Sequence, residues 1–174
     1  NPVILYEYQK TRKKEHAREF LKDFSGICVT DGYQVYHSIA EEREDLTIAG
    51  CWSHARRGFA DVVKAAGKKD LNIRESIAYK SLQLIQTMSR YEEEFTKREP
   101  AERLEARIHH VLPLVDAFFA YLKSKEGSVA PKSATGKAIS YCLNQEAFLR
   151  VFLTDGYVPM TNNAAERSIR PFTV

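Results

Sequence analysis

The stretch Gly26-Ile27-Cys28-Val29-Thr30-Asp31-Gly32-Tyr33 decides how the fold is read. A glycine, a β-branched and apolar run, then Asp-Gly is the pattern of a strand that ends in a turn. Asp31 therefore stands at the carboxyl end of a strand, the edge where open α/β sheets bind ligands. A plainer explanation stands beside it: Asp-Gly is a common turn, and Asp31 can equally cap the helix-like stretch that runs on to Glu42.

Upstream, residues 3–8 (Val-Ile-Leu-Tyr-Glu-Tyr) are β-branched and aromatic enough for an earlier strand, with Pro2 limiting its start. Between the two, Ala17, Phe20, Leu21 and Phe24 recur at helical spacing and Gly26 follows as a stop. Strand, helix and strand make a βαβ unit. A further strand is expected from Leu46 to Gly50, running into Cys51-Trp52-Ser53-His54-Ala55-Arg56-Arg57-Gly58-Phe59. At that strand-to-helix junction Trp52 and Phe59 are available for packing, and His54, Arg56 and Arg57 for anions. Guanidinium groups at a helix start bind phosphate through paired N–H donors and the helix dipole. Quieter readings remain open, with His54 as a hydrogen-bonded structural histidine and the arginines as a solvated face.

Composition sets bounds on the rest. With 174 residues, 44% of them hydrophobic, the chain can bury a sizeable core as one domain, and nothing in it suggests disorder. Lys plus Arg is 26 against 23 acids, for a net charge of +3, which allows nucleic-acid binding without demanding it. Cys28, Cys51 and Cys142 are odd in number and widely spaced, as expected of reduced, buried thiols in a cytoplasm, and no Cys-x-x-Cys zinc spacing occurs. No apolar run reaches the roughly 20 residues needed to span a bilayer, and no signal peptide is visible. Asn1 in place of Met suggests a piece of a longer chain.

From about residue 71 to 153 the alternation of strand and helix stops. Ile77, Leu84, Met88, Tyr91 and Phe95 step at helical spacing, and Leu104, Ile108, Val111, Val115, Phe118 and Leu122 keep a strict four-three repeat. Two amphipathic helices turning near Pro100 form an antiparallel hairpin, with a kink in the second at Pro113. Shorter helices are expected near 137–144 and 146–153. Thr154-Asp-Gly-Tyr157 repeats residues 30–33, but no buried strand precedes it, so this copy reads as a loop after a helix.

The last informative stretch is Thr161-Asn162-Asn163-Ala164-Ala165-Glu166-Arg167-Ser168-Ile169-Arg170-Pro171. Asn162 or Asn163 can cap a helix that Pro171 ends, and Asn163, Glu166 and Arg170 then share its polar face. A capping box between Asn163 and Glu166, with an ion pair from Glu166 to Arg170, accounts for this face without any function.

Three stretches together, Thr30-Asp31-Gly32-Tyr33, residues 51–59 and residues 162–171, resemble the insertion sequence 66 transposase family, of the DDE type, over nearly the whole chain. The resemblance implies an α/β (α+β) fold: a partial ribonuclease H-like mixed sheet with a large all-helical insertion. Residues 1–70 would form the first part of the core, 71–153 the insertion, and 154–174 the last core helix. Asp31 would be the second catalytic Asp and Glu166 the closing Glu, both ligating metal, with carboxylates within roughly 8 Å of each other if they share a metal pair. His54, Asn162 and Asn163 would lie near the site, and Arg56, Arg57, Arg167 and Arg170 would contact DNA.

The implied cofactor is Mg²⁺ or Mn²⁺, two ions in the complete enzyme, bound by hard oxygen donors. The implied partners are transposon-end and target DNA and further copies of the chain, in a bacterial cytoplasm. The family's first Asp belongs on a strand upstream of residue 1, so the chain by itself is expected not to cleave DNA, and Thr161 departs from the Asp that many members carry there. Two other functions fit the residues: a catalytically silent DNA-binding or helix-mediated interaction domain derived from a transposase, and an unrelated α/β enzyme in which Asp31 and Glu166 are only caps.

Overall fold

The computed structural model describes residues 3, 5, 7–67 and 72–169. Its first helix, α1 (Lys14–Phe20), leads into a parallel βαβ unit made of β1 (Gly26–Thr30), α2 (Gln34–Ala40) and β2 (Leu46–Gly50). Gly26 pairs with Leu46 and the register runs to Thr30 against Gly50. The unit therefore sits one element later than the sequence suggests. Residues 3, 5, 7 and 8 are not in a strand, and Val3, Leu5 and Tyr8 are largely exposed. A strand needs a neighbour for its N–H and C=O groups, and among the described residues β1 pairs only with β2. Residues 4 and 6 lie outside the described ones. In place of the expected mixed sheet, the described strands form one parallel pair.

Local sequence explains the pairing. Leu46, Ile48 and Ala49 of β2 are buried, whereas β1 is half-buried up to Thr30. Arg43 staples the unit to α1: its guanidinium donates to the Leu21 carbonyl at 2.6 Å, to the Phe24 carbonyl at 2.5 Å, and to both oxygens of Asp45. Leu21, Ile39, Leu46 and Ile48 form a small cluster on the side of α1 and α2.

Phe148 also joins that cluster, and the main core packs on the other side. α3 (Trp52–Ala66) follows β2 directly and seats the Trp52 indole among Phe118, Phe119 and Phe152, with ring centroids 5.3, 6.0 and 6.2 Å away. The indole N–H donates to the Leu149 carbonyl at 2.8 Å, so the ring is buried without an unpaired donor. α4 (Ile77–Phe95) is capped by the Ser76 hydroxyl, which accepts from the Tyr79 N–H at 3.1 Å. α5 (Pro100–Ala106) opens on proline, whose missing N–H costs nothing at that position. One π turn, Arg107–Val111, joins it to α6 (Leu112–Lys125). α4 and the α5–α6 run are antiparallel: Glu92 meets Arg107, Tyr91 stacks on His110, and Tyr79 and Leu84 share a groove with Ala117 and Tyr121.

The π turn is how the chain meets Pro113. Proline cannot donate to the carbonyl four residues back, and the wider turn just before it absorbs the mismatch. The turn also shifts the helical stripe. Val111, Val115, Phe118 and Leu122 are buried as expected, but Leu104 is only half-buried and Ile108 is 43% exposed. In α4 the buried line is Ala78, Ser81, Ile85, Met88 and Phe95, so the expected Ile77, Leu84 and Tyr91 flank the core. Arg107 occupies the turn's inner face, fully buried, with two bonds to the Glu92 carboxylate at 2.8 and 2.7 Å and two more to the carbonyls of Phe152 and Asp155.

α7 (Ala134–Asn144) starts at a Ser133 cap, and the short α8 (Glu146–Leu149) turns the chain back over the sheet. Residues 151–153 form a single 3-10 turn in place of more helix. Thr154-Asp-Gly-Tyr157 is a loop, as its context suggests, and α9 (Asn163–Ile169) follows. A Cβ on Gly156 would stand 1.8 Å from the Pro100 carbonyl oxygen, so this loop lies flat on the start of α5. A single core cluster joins β2, α3, α4, α6, α7 and α8.

Candidate active site

Asp31 is the first residue past β1 and its side chain is exposed. One carboxylate oxygen accepts the Tyr33 N–H at 3.1 Å, so the turn reading holds together with the strand-end position. Asp31 does not cap α2, whose N-cap is Tyr33 without a side-chain cap bond. Gly32 adopts φ +85°, a conformation that favours glycine. The Asp155 turn repeats the bond, with the Tyr157 N–H 2.7 Å from the carboxylate, but its backbone is held by Arg107 and Arg103 against α5. The two copies of the tetrapeptide share a turn and differ in what surrounds them.

The sheet carries Asp31 towards the 51–59 stretch. The Cys51 N–H donates to the Thr30 carbonyl at 3.0 Å, one step past the strands, so the chain leaves β1 and β2 side by side. Residues 51–54 then clasp the start of α9. The Trp52 N–H donates to the Met160 carbonyl at 3.1 Å, the Cys51 thiol to Asn162 Oδ1 at 2.8 Å, and the Ser53 hydroxyl to Asn163 Oδ1 at 2.8 Å. The Asn162 N–H in turn lies 3.4 Å from the Cys51 sulfur. Further along, Glu166 Oε1 stands 3.8 Å from His54 Nε2, while His54 Nδ1 is buried with no partner among the described residues.

This arrangement replaces the capping box. The Asn163 side-chain oxygen accepts from the Ser53 hydroxyl, and Glu166 faces His54 instead of turning back on its own helix. The expected pair between Glu166 and Arg170 lies outside the described residues, as does Pro171, and the direction of Ile169 falls there too. His54, Asn162 and Asn163 do gather at one place with Glu166, and Asp31 approaches the same turn through Thr30 and Cys51. Arg56, Arg57 and Arg167 are exposed and make no ion pair among the described residues.

Sequence reasoning passes over the helix on the far side of the Asp31 turn. The Tyr141 hydroxyl of α7 donates to the Asp31 carbonyl at 3.1 Å, and a Cβ on Gly32 would meet that hydroxyl at 2.9 Å and the Gln145 side chain at 3.3 Å. Burial, then the nearby Cys142, Cys51 and Asp31, push the Tyr141 phenol up to about 12, with Arg57 opposing. The phenol therefore stays a donor at neutral pH. Burial also pushes the Cys142 thiol up to about 12. No spacing rule points from position 141 to position 31, and the only signal is the glycine after Asp31, which announces a close approach without naming the neighbour.

As donors, the two carboxylates suit a hard divalent ion. In number they fall short: among the described residues no group of three or more His, Cys, Asp or Glu is placed to hold a metal.

Comparison with known proteins gives the family. The model of the family described as "Transposase IS66 family" matches residues 1–174. Three proteins of Sinorhizobium fredii (strain NBRC 101917 / NGR234) are similar. "Uncharacterized protein y4qI" is 32% identical over 99% of this chain and 32% of its own length. "Uncharacterized protein y4jD" is 29% identical over 97% of this chain and 33% of its own, and "Uncharacterized protein y4hP" is 29% identical over 97% and 32%. The chain thus spans about a third of the length of the curated relatives it matches. No solved structure matches it.

Proposed function

The chain belongs to the Transposase IS66 family, and from that premise we propose that it is part of the catalytic core of a DNA transposase. In this reading the βαβ unit and α9 belong to a ribonuclease H-like core, residues 71–153 are the helical insertion, and Asp31 and Glu166 are two of the catalytic carboxylates. The observation that supports it is the clasp: residues 51–54 bond to Thr30, next to Asp31, on one side, and to Asn162 and Asn163 on the other, with Glu166 facing His54.

The chemistry asks for such acids. Breaking a phosphodiester bond needs an activated water or 3′-hydroxyl and stabilised charge on the attacking and leaving oxygens. A bound pair of Mg²⁺ or Mn²⁺ ions, about 3.5–4 Å apart, supplies both. Asp31 and Glu166 would each contribute oxygen ligands, and the His54 ring beside Glu166 would hold that carboxylate's direction. Arg56 and Arg57, exposed in the second turn of α3, would take DNA backbone phosphates, as would Arg167 and Arg170. Such contacts give affinity and register without sequence information. Transposon ends and target DNA are the substrates in this reading, acted on by an assembly of several copies.

Plasmid nicking and strand transfer in Mg²⁺ or Mn²⁺ test the proposal, using the chain itself and the chain extended to its relatives' length. The extended protein should nick, Asp31→Asn and Glu166→Gln should abolish nicking with DNA affinity kept, and the chain itself should bind DNA without cutting. Nicking that survives both substitutions would place the chemistry elsewhere.

A further inference from the structure

The corner between α7 and α8 closes over the carboxyl ends of both strands. Past β1, the Tyr141 hydroxyl reaches the Asp31 carbonyl at 3.1 Å. Gly32 leaves no room for a side chain against Tyr141 and Gln145. At the end of β2, a Cβ on Gly50 would meet the Leu149 backbone nitrogen and side chain at 3.1 Å. The Leu149 carbonyl then accepts the Trp52 indole N–H. These contacts come from one short segment, 141–149, and they fall beside both residues that follow the sheet, Asp31 and Cys51.

We propose that Tyr141 is a positioning residue for Asp31, fixing the backbone turn that aims its carboxylate. This rests on the reading of Asp31 given above. The Asp31 side chain is exposed and its one bond among the described residues comes from the Tyr33 N–H, two residues away, which shapes the turn but does not anchor it to the body of the protein. The anchor is the phenol on the peptide carbonyl, supplied by a helix 110 residues further along. Its effect falls on orientation, because Tyr141 touches the backbone of Asp31 and leaves the carboxylate free. A carboxylate displaced by even about 1 Å is costly where reacting atoms must be held in line.

Tyr141→Phe keeps the ring and removes the hydroxyl. In the chain itself, amide hydrogen exchange should quicken at residues 31–33 by about tenfold or more, while α4 and α6 keep their protection. In the extended protein, turnover at saturating DNA should fall about tenfold, with the half-saturating DNA concentration within about twofold of the parent. Exchange at 31–33 that does not change overturns the inference whether or not the protein cleaves. If Asp31→Asn abolishes nicking and Tyr141→Phe nicks at the parent rate, this inference fails alone. If Asp31→Asn nicks normally, the catalytic reading of Asp31 fails and takes this inference with it.

Discussion

The Cys51 thiol donates to the side-chain oxygen of Asn162 at 2.8 Å, across 111 residues of sequence. That bond and its neighbour from Ser53 to Asn163 tie the start of α9 to the start of α3, with Glu166 facing His54 one turn further on. Asn162→Ala should therefore loosen α9 and expose a thiol that is now fully buried. Removing one hydrogen bond of this kind costs about 1 kcal/mol, enough for Cys51 to react about five- to tenfold faster with a chromogenic disulfide. Cys142, buried in the main core, should remain protected. Equal Cys51 rates in the parent and the variant would mean that the clasp does not hold the helix.

Arg107 offers the sharpest test of stability. It has no exposed surface, and its guanidinium is shared between Glu92, the Phe152 carbonyl and the Asp155 carbonyl. Arg107→Ala leaves the Glu92 carboxylate half-buried without its partner and frees two carbonyls, which should cost about 3–5 kcal/mol. Arg107→Lys should cost less, because a single ammonium can replace some of these bonds though not the two-pronged one. Urea denaturation followed by tryptophan fluorescence reads both, since Trp52 packs on Phe152. A drop under about 1 kcal/mol for the alanine variant would contradict the account.

His37 should set part of the acid sensitivity. Burial lowers its affinity for a proton below the ordinary value near 6.5, against opposing pulls from Glu41 and Asp31, and its ring lies 3.9 Å from that of Phe148. A folded value below the unfolded one means that the unfolded chain takes up the proton first. This contribution to stability is thus intact above about pH 6.5 and declines as the pH falls from there towards the folded value. Melting temperatures between about pH 7.5 and 5 should drop less steeply in His37→Gln than in the parent. Parallel curves for the two would place the titration elsewhere.

Arg56 and Arg57 should act on DNA affinity through salt. Removing one cationic side chain from a backbone phosphate reduces the slope of log affinity against log salt by about 1. Arg56→Ala and Arg57→Ala should each flatten the slope by about that amount and weaken binding alike on unrelated duplexes, as measured by fluorescence anisotropy. Weakening confined to one DNA sequence would mean base reading instead of phosphate binding.

How far the sequence carries the reading depends on the range of the forces involved. β1, α2, β2 and α4 are legible because strand and helix periodicity is written locally, and the start of α3 follows from β2 ending in Gly50. The stripe of α5 and α6 misleads at Ile108 because the extra residue of a π turn rotates every side chain before it relative to those after. At the candidate site, Asp31, His54, Asn162, Asn163 and Glu166 can be named from their motifs. Their partners cannot. Cys51 with Asn162, Ser53 with Asn163, and Tyr141 with Asp31 meet only because a tertiary fold brings distant segments together. Residues 3, 5, 7 and 8, expected in a strand, are outside one for a related reason: β propensity is realised only when an edge is there to pair with.

The shared aromatic seat of Trp52 has a consequence for how such chains can change over generations. Trp52 on α3 is enclosed by Phe118 and Phe119 of α6 and by Phe152, and a Cβ added at Gly58 would stand 2.9 Å from the Ala138 Cβ of α7. A lineage cannot enlarge one side of either contact without trimming the other. Substitutions at 52 and at 118, 119 or 152 should arise as matched sets, and so should those at 58 and 138. The helix that follows β2 and the helices of the 71–153 stretch should therefore change in step.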